Sequence, residues 1–111
     1  MNSKHIFCFC IFLLLASFSF AQTKPIHVWE MKELSFRAQN KYNNPYKDVT
    51  TWVELKGPGF SKRIYGFWDG EDVFRVRIVA TAPGTWTWTS GSNQPNDKGL
   101  NNQSGSFTAI A

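Results

Sequence analysis

From residue 22 onward the chain alternates apolar and polar positions with a period of two, and no window sustains a helical period. Val73–Ala80 is the clearest stretch. Phe74, Val76, Ile78 and Ala80 share one face, with Arg75 and Arg77 on the other. Thr85–Thr89 alternates as strictly, with Trp86 and Trp88 set against threonines. Leu34, Phe36 and Ala38 interleave with Glu33, Ser35 and Arg37. In Thr50–Lys56 the simplest core face is Thr51, Val53 and Leu55, which turns Trp52 outward beside Glu54 and Lys56. Ile64, Gly66 and Trp68 face away from Tyr65 and Phe67, so both faces of Ile64–Trp68 are apolar and a central strand is predicted. Ile26–Glu30 and Ser106–Ile110 are predicted as the first and last strands.

The punctuation between these stretches is equally legible. Asn43-Asn44-Pro45 breaks the chain, and Gly57-Pro58-Gly59 ends the strand before it. Asp69-Gly70 and Pro83-Gly84 are read as hairpin connections, because Gly and Asp tolerate the positive φ of tight turns. Ser90–Gly105 is rich in Gly, Asn, Gln and Ser and is read as a long mobile loop. About seven short strands with such turns predict an immunoglobulin-like antiparallel β-sandwich over residues 22–111, as one domain.

The first 21 residues change the picture of where the protein works. Lys4 and His5 precede an apolar run, Ile6–Phe18, too short for a membrane span of ~20 residues. Ser19-Phe20-Ala21 then offers small residues where a signal peptidase reads, predicting a signal peptide over residues 1–21 cleaved between Ala21 and Gln22. The expected location is secreted or periplasmic, with no membrane association after cleavage. Cys8 and Cys10 lie inside the leader, so the mature chain has no disulfide or thiol chemistry. Losing Lys4 lowers the net charge of +4 by one, and the remaining charges are scattered singly. Nucleic-acid binding needs a basic stripe and is not expected. Without disulfides, so small a domain must draw stability from bulky side chains. Trp29, Trp52, Trp68, Trp86 and Trp88, with Phe36, Phe60, Phe67, Phe74 and Phe107, supply them.

Several motifs in register carry a family resemblance. Asn44-Pro45-Tyr46-Lys47-Asp48-Val49, Gly57-Pro58-Gly59, Gly66-Phe67-Trp68-Asp69-Gly70, Val76-Arg77-Ile78 and Pro83-Gly84-Thr85-Trp86 follow one another in the order and spacing of the DUF5060 family. The chain resembles that family from about Val28 to Phe107. The family is an immunoglobulin-like domain found ahead of a (β/α)-barrel in many bacterial glycoside hydrolases, and the leader ending Phe-Ala-Gln is similar to those of Bacteroidetes. The resemblance implies the sandwich fold and a setting in polysaccharide degradation. It transfers no catalytic residue, because the family's catalytic carboxylates sit in the barrel.

The residues themselves point the same way. Glycoside hydrolysis needs two carboxyl groups flanking the scissile bond, one with a raised pKa. Glu30, Glu33, Asp48, Glu54, Asp69, Glu71, Asp72 and Asp97 nearly all fall on turns or outward strand positions, so no catalytic pair is expected. Asp69, Glu71 and Asp72 form the densest acidic cluster and are read as a hairpin turn, with Asp69 bonding its own backbone, rather than as a calcium site. His27 is the only histidine after the leader, and no metal or other cofactor is expected. Sugar rings stack on exposed tryptophan. Trp86 and Trp88, on one strand face, are a candidate platform, although alternation with threonine is also what a core-facing pair shows. Trp52 is a candidate contact with a glycan or a protein domain, unless it packs under a neighbouring strand or loop. The expectation is a secreted, non-catalytic accessory module that docks to a polysaccharide or to a partner glycoside hydrolase. The alternative is a severed N-terminal fragment of such an enzyme, its catalytic barrel missing.

Overall fold

The computed structural model describes residues 24–111. The expected signal peptide, its cleavage point and both cysteines lie outside the described residues. Eight strands and one helical turn follow: β1 (Ile26–His27), β2 (Lys32–Arg37), α1 (Pro45–Asp48), β3 (Thr51–Gly57), β4 (Phe60–Tyr65), β5 (Phe67–Trp68), β6 (Val73–Ile78), β7 (Gly84–Ser92) and β8 (Ser104–Ile110). A five-stranded sheet in the order β1-β8-β7-β3-β4 faces a three-stranded sheet, β2-β6-β5. Every pairing is antiparallel except β1 with β8. This is the immunoglobulin-like sandwich that the alternation predicts, with two of the strands only two residues long.

The core lies between the sheets and is built from the predicted faces. Leu34, Phe36, Phe74, Val76 and Ile78 come from the smaller sheet; Val53, Leu55, Trp86, Phe107 and Ala109 come from the larger. On the outer face of the smaller sheet the registered pairs are charged. Arg77 Nε lies 2.8 Å from Glu33, and Arg75 bonds the Ser35 hydroxyl at 2.6 Å.

Two connections differ from the sequence reading. Ile64–Trp68 is not a central strand. Its first half ends β4, an edge of one sheet, and its second half is β5, an edge of the other. The chain switches sheets at Gly66, whose N–H donates to Thr51 O at 2.9 Å. A Cβ there would collide with the Arg75 carbonyl and a Val76 methyl, so only glycine lets the chain cross so close to β6. The apolar character of both faces reflects a chain that changes partners, not a strand covered on both sides. Pro83-Gly84 likewise joins β6 in one sheet to β7 in the other, so it is an inter-sheet link and not a hairpin. Asp69-Gly70 does close the β5–β6 hairpin, with Gly70 and Glu71 both at positive φ. Edge strand β4 turns Lys62 toward the core side opposite Leu55, its amine 5.6 Å from the Phe60 ring, a charge that discourages further strand pairing.

The polar segment after β7 is extensively hydrogen-bonded rather than a free loop. β7 runs on to Ser92, and residues 93–103 are tied at several points. Asn101 Nδ2 donates to Gln94 O and to Asp97 O, each at 2.7 Å, and Leu100 is buried. Asn93 and Gln94 donate to Asp48 O at 3.1 and 2.9 Å, binding this loop to α1. Asn44 caps α1, its side chain accepting from Lys47 N–H at 3.2 Å, with Pro45 opening the turn.

Candidate binding surface

Register places four rows of side chains on the outer face of the five-stranded sheet. β7 and β8 contribute facing hydroxyl pairs, Thr85 with Thr108, Thr87 with Ser106 and Thr89 with Ser104, all exposed. β3 contributes Trp52, Glu54 and Lys56, and β4 contributes Ser61, Arg63 and Tyr65 opposite them. The predicted outward direction of Trp52 is what this register requires, since Thr51, Val53 and Leu55 are buried.

Trp52 is half-buried because three neighbours use it. Its indole leans across Gly91 of β7, where any side chain would strike the ring nitrogen. The Arg63 guanidinium sits 4.2 Å from the ring centroid and is fixed by Glu54, whose carboxylate accepts from Arg63 Nε at 2.6 Å. Tyr65 meets the indole edge-on at 6.1 Å while remaining 61% exposed. The site is therefore an aromatic corner on a hydroxyl-lined sheet. Tyr65 offers an exposed ring, with Trp52 and Arg63 behind it. Sequence reasoning missed Tyr65 and Arg63. The signal available was their parity with Ser61 on a strand whose hairpin partner was legible through Gly57-Pro58-Gly59.

Trp86 and Trp88 do not form a platform. Trp86 is 0% exposed, stacks on Phe107 at 6.4 Å and donates from Nε1 to Ala82 O at 2.9 Å. Trp88 lies on the same inward face and meets Phe36 of the opposite sheet edge-on at 5.7 Å. The alternation with threonine marks a core pair. Its polar half, the threonines, is the half that reaches the surface.

The carboxylates divide into surface partners and one exception. Asp69 bonds Arg75 rather than its own backbone, and Asp72 lies 2.8 Å from Arg37. Asp97, expected among the solvated acids, is 0% exposed. Its carboxylate accepts from Gln39 N–H at 2.9 Å, Asn40 N–H at 3.1 Å, Gly99 N–H at 3.0 Å and the Tyr42 hydroxyl at 2.8 Å. Burial works to raise its pKa, but the four donors together outweigh it and hold the group below the ordinary carboxylate range. Burial, with the bond to Asp97, pushes Tyr42 up to about 12. Asp97 thus clasps the loop after β2 to the loop after β7, and its acceptor positions are filled. Little in the local sequence around Asp97 marks it for burial, because three of its four donors, from Gln39, Asn40 and Tyr42, lie far earlier in the chain.

At the opposite end of the sandwich, Trp29 is 68% exposed and Met31 54%. Trp29 adopts φ 67, a left-handed conformation unusual for so bulky a residue. The turn is locked by Trp29 N–H to Ala80 O at 2.9 Å and Val28 N–H to Ile110 O at 2.9 Å.

The fold and its surfaces define a small immunoglobulin-like module with outward aromatics and a single, fully bonded buried acid. Comparison with known proteins places it more closely. The model of the family described as "Domain of unknown function (DUF5060)" matches residues 25–93, more than half of the chain, and the protein belongs to that family. Among solved structures, the crystal structure of a "putative glycoside hydrolase" from Bacteroides vulgatus ATCC 8482 is similar. The TM-score is 0.67 at 28% identity, covering 79% of this chain and 16% of that one. The protein thus corresponds to a small part of a much longer glycoside hydrolase-related chain. No curated protein matches it.

Proposed function

We propose that this protein is a secreted or periplasmic, non-catalytic accessory module of polysaccharide degradation that contacts glycan through the Trp52–Tyr65 corner. The observation that carries this reading is the exposed Tyr65 ring, braced edge-on by Trp52, at the margin of a sheet face lined with hydroxyls. Aromatic rings take the C–H face of a sugar, and the adjacent Thr and Ser hydroxyls and the Arg63 rim take its hydroxyls. Such a face is too polar to bury against an apolar protein surface. The similarity to part of a longer glycoside hydrolase-related chain, of which it covers 16%, supports the setting and the accessory role. Affinity electrophoresis against a panel of plant and algal polysaccharides tests it. Retardation by at least one polymer, lost in Tyr65→Ala and Trp52→Ala, is the expected result; unretarded migration on every polymer rejects it.

A second reading is favoured by a separate observation, the outward Trp29 and Met31 at the far end. There the module would dock on the catalytic body of a glycoside hydrolase, either as a separate partner or as the continuation of the same chain. Acrylamide quenching of Trp29 fluorescence distinguishes the cases: strong quenching in the isolated module should fall once such a body is attached.

A further inference from the structure

We infer that the cleft between the loop after β2 and the β5–β6 turn is a second binding site, for the end of a short neutral oligosaccharide. It has a volume of about 580 Å³, within the range of about 300–1,000 Å³ typical of small-ligand sites. One wall is residues 38–42 with Pro45 of α1; the other is Glu71 and Asp72; Phe74 and Ala38 lie at its base. The walls are tied to each other and to the fold by fixed contacts. Ala38 N–H donates to Asp72 O at 2.8 Å, Arg37 pairs with Asp72 at 2.8 Å, and the Asp97 clasp secures Gln39, Asn40 and Tyr42 from behind.

Charge selects the ligand. Arg37 and Lys41 balance Glu71 and Asp72, so the cleft carries no net field to attract a phosphate, a uronate or a metal cation. What it offers is a donor and an acceptor side by side: the Lys41 ammonium and the Glu71 carboxylate. Asp72 and Arg37 already satisfy each other, whereas Lys41 and Glu71 have no ion-pair partner among the described residues. Pro45 and the Tyr42 ring add apolar surface for sugar C–H groups. A neutral polyol with vicinal hydroxyls uses both kinds of lining, and an apolar ligand would leave the charged groups desolvated and unpaired. Glu71 is exposed at the cleft, its backbone at φ 51 and its carbonyl accepting from Trp68 Nε1 at 2.9 Å.

This inference rests on the glycan setting proposed above but concerns a different surface, at the same end of the sandwich as Trp52 and Tyr65. The test is an amide chemical-shift titration of the isotope-labelled protein with cellotetraose, xylotetraose, mannotetraose and laminaritetraose, and with tetragalacturonate as the acidic control. A neutral tetrasaccharide should shift the amides of Asn40, Lys41 and Glu71. Lys41→Ala and Glu71→Gln should each weaken binding about tenfold without moving the melting temperature, since neither side chain is tied into the ion pairs of the fold. Perturbation confined to Trp52 and Tyr65, silence with all four neutral probes, or tighter binding of tetragalacturonate would each overturn the cleft. Retention of polymer through Tyr65 with a silent cleft would reject this inference and leave the accessory-module reading standing.

Discussion

Asp97→Ala should be among the most damaging single changes in this domain, although the residue sits in a polar loop. The substitution removes the acceptor for three backbone N–H groups and the Tyr42 hydroxyl at a point with 0% exposure. Each stranded donor costs about 1–3 kcal/mol if it stays dry. Water entering through the neighbouring cleft would re-satisfy some of them, so a loss of about 3–4 kcal/mol is expected. For a domain of this size that corresponds to a fall in Tm on the order of 15–25 °C. Asp97→Asn keeps the shape but turns an amide N–H₂ toward donors, and should lose about 2 kcal/mol. The pH dependence has a definite sign. Because the folded pKa is depressed, the stabilisation is present above the unfolded value of about 3.9 and lost as pH falls through the lower folded value. Tyr42 works in the opposite sense: its neutral form is favoured, so its contribution holds below about pH 10 and is lost as pH rises through about 12. Urea unfolding followed by tryptophan fluorescence, repeated from about pH 2 to about pH 12 at about one-unit steps, measures all of this. A loss under about 1 kcal/mol for Asp97→Ala, or an acid limb unchanged in Asp97→Asn, would refute the clasp.

Trp86→Ala should cost about 3–5 kcal/mol, measured by thermal melting, because it empties the site shared with Phe60 and Phe107. Trp52→Ala, stripping an outer face, should cost only about 1 kcal/mol in the same assay, and a loss as large as that of Trp86 would make Trp52 a core residue. Gly66→Ala should destabilise by about 1–3 kcal/mol through its collision with the β6 backbone, and equal stability to the parent would remove the close-crossing argument. Trp29→Gly should raise stability by about 1 kcal/mol, since glycine accepts φ 67 without strain and the exposed ring makes little packing.

Much of the fold was legible because a strand's side-chain period is local. Phe74, Val76 and Ile78 announce their common face without reference to any partner, and so do Trp86 and Trp88. The turns at Asp69-Gly70 and Gly57-Pro58-Gly59 were legible for the same reason, as local φ requirements. Gly66 misled, because a residue that lets a chain leave one sheet for another has the same neighbours in sequence as a residue inside one long strand. The loop after β7 misled too: its Asn, Gln and Ser are as typical of mobile segments as of segments fully hydrogen-bonded to distant backbone.

The sequence alone determined the alternating strands, the shared face of Trp86 and Trp88, and the placing of Trp52 opposite Thr51, Val53 and Leu55, because each depends only on backbone period. Tertiary structure turned the Trp86–Trp88 face inward. Tertiary structure decided what Trp52 stands beside, where Asp97 goes, and that Tyr65 and the residue 37–42 segment line surfaces. Those depend on pairings between residues dozens of positions apart, which the register of two facing sheets settles and local chemistry does not.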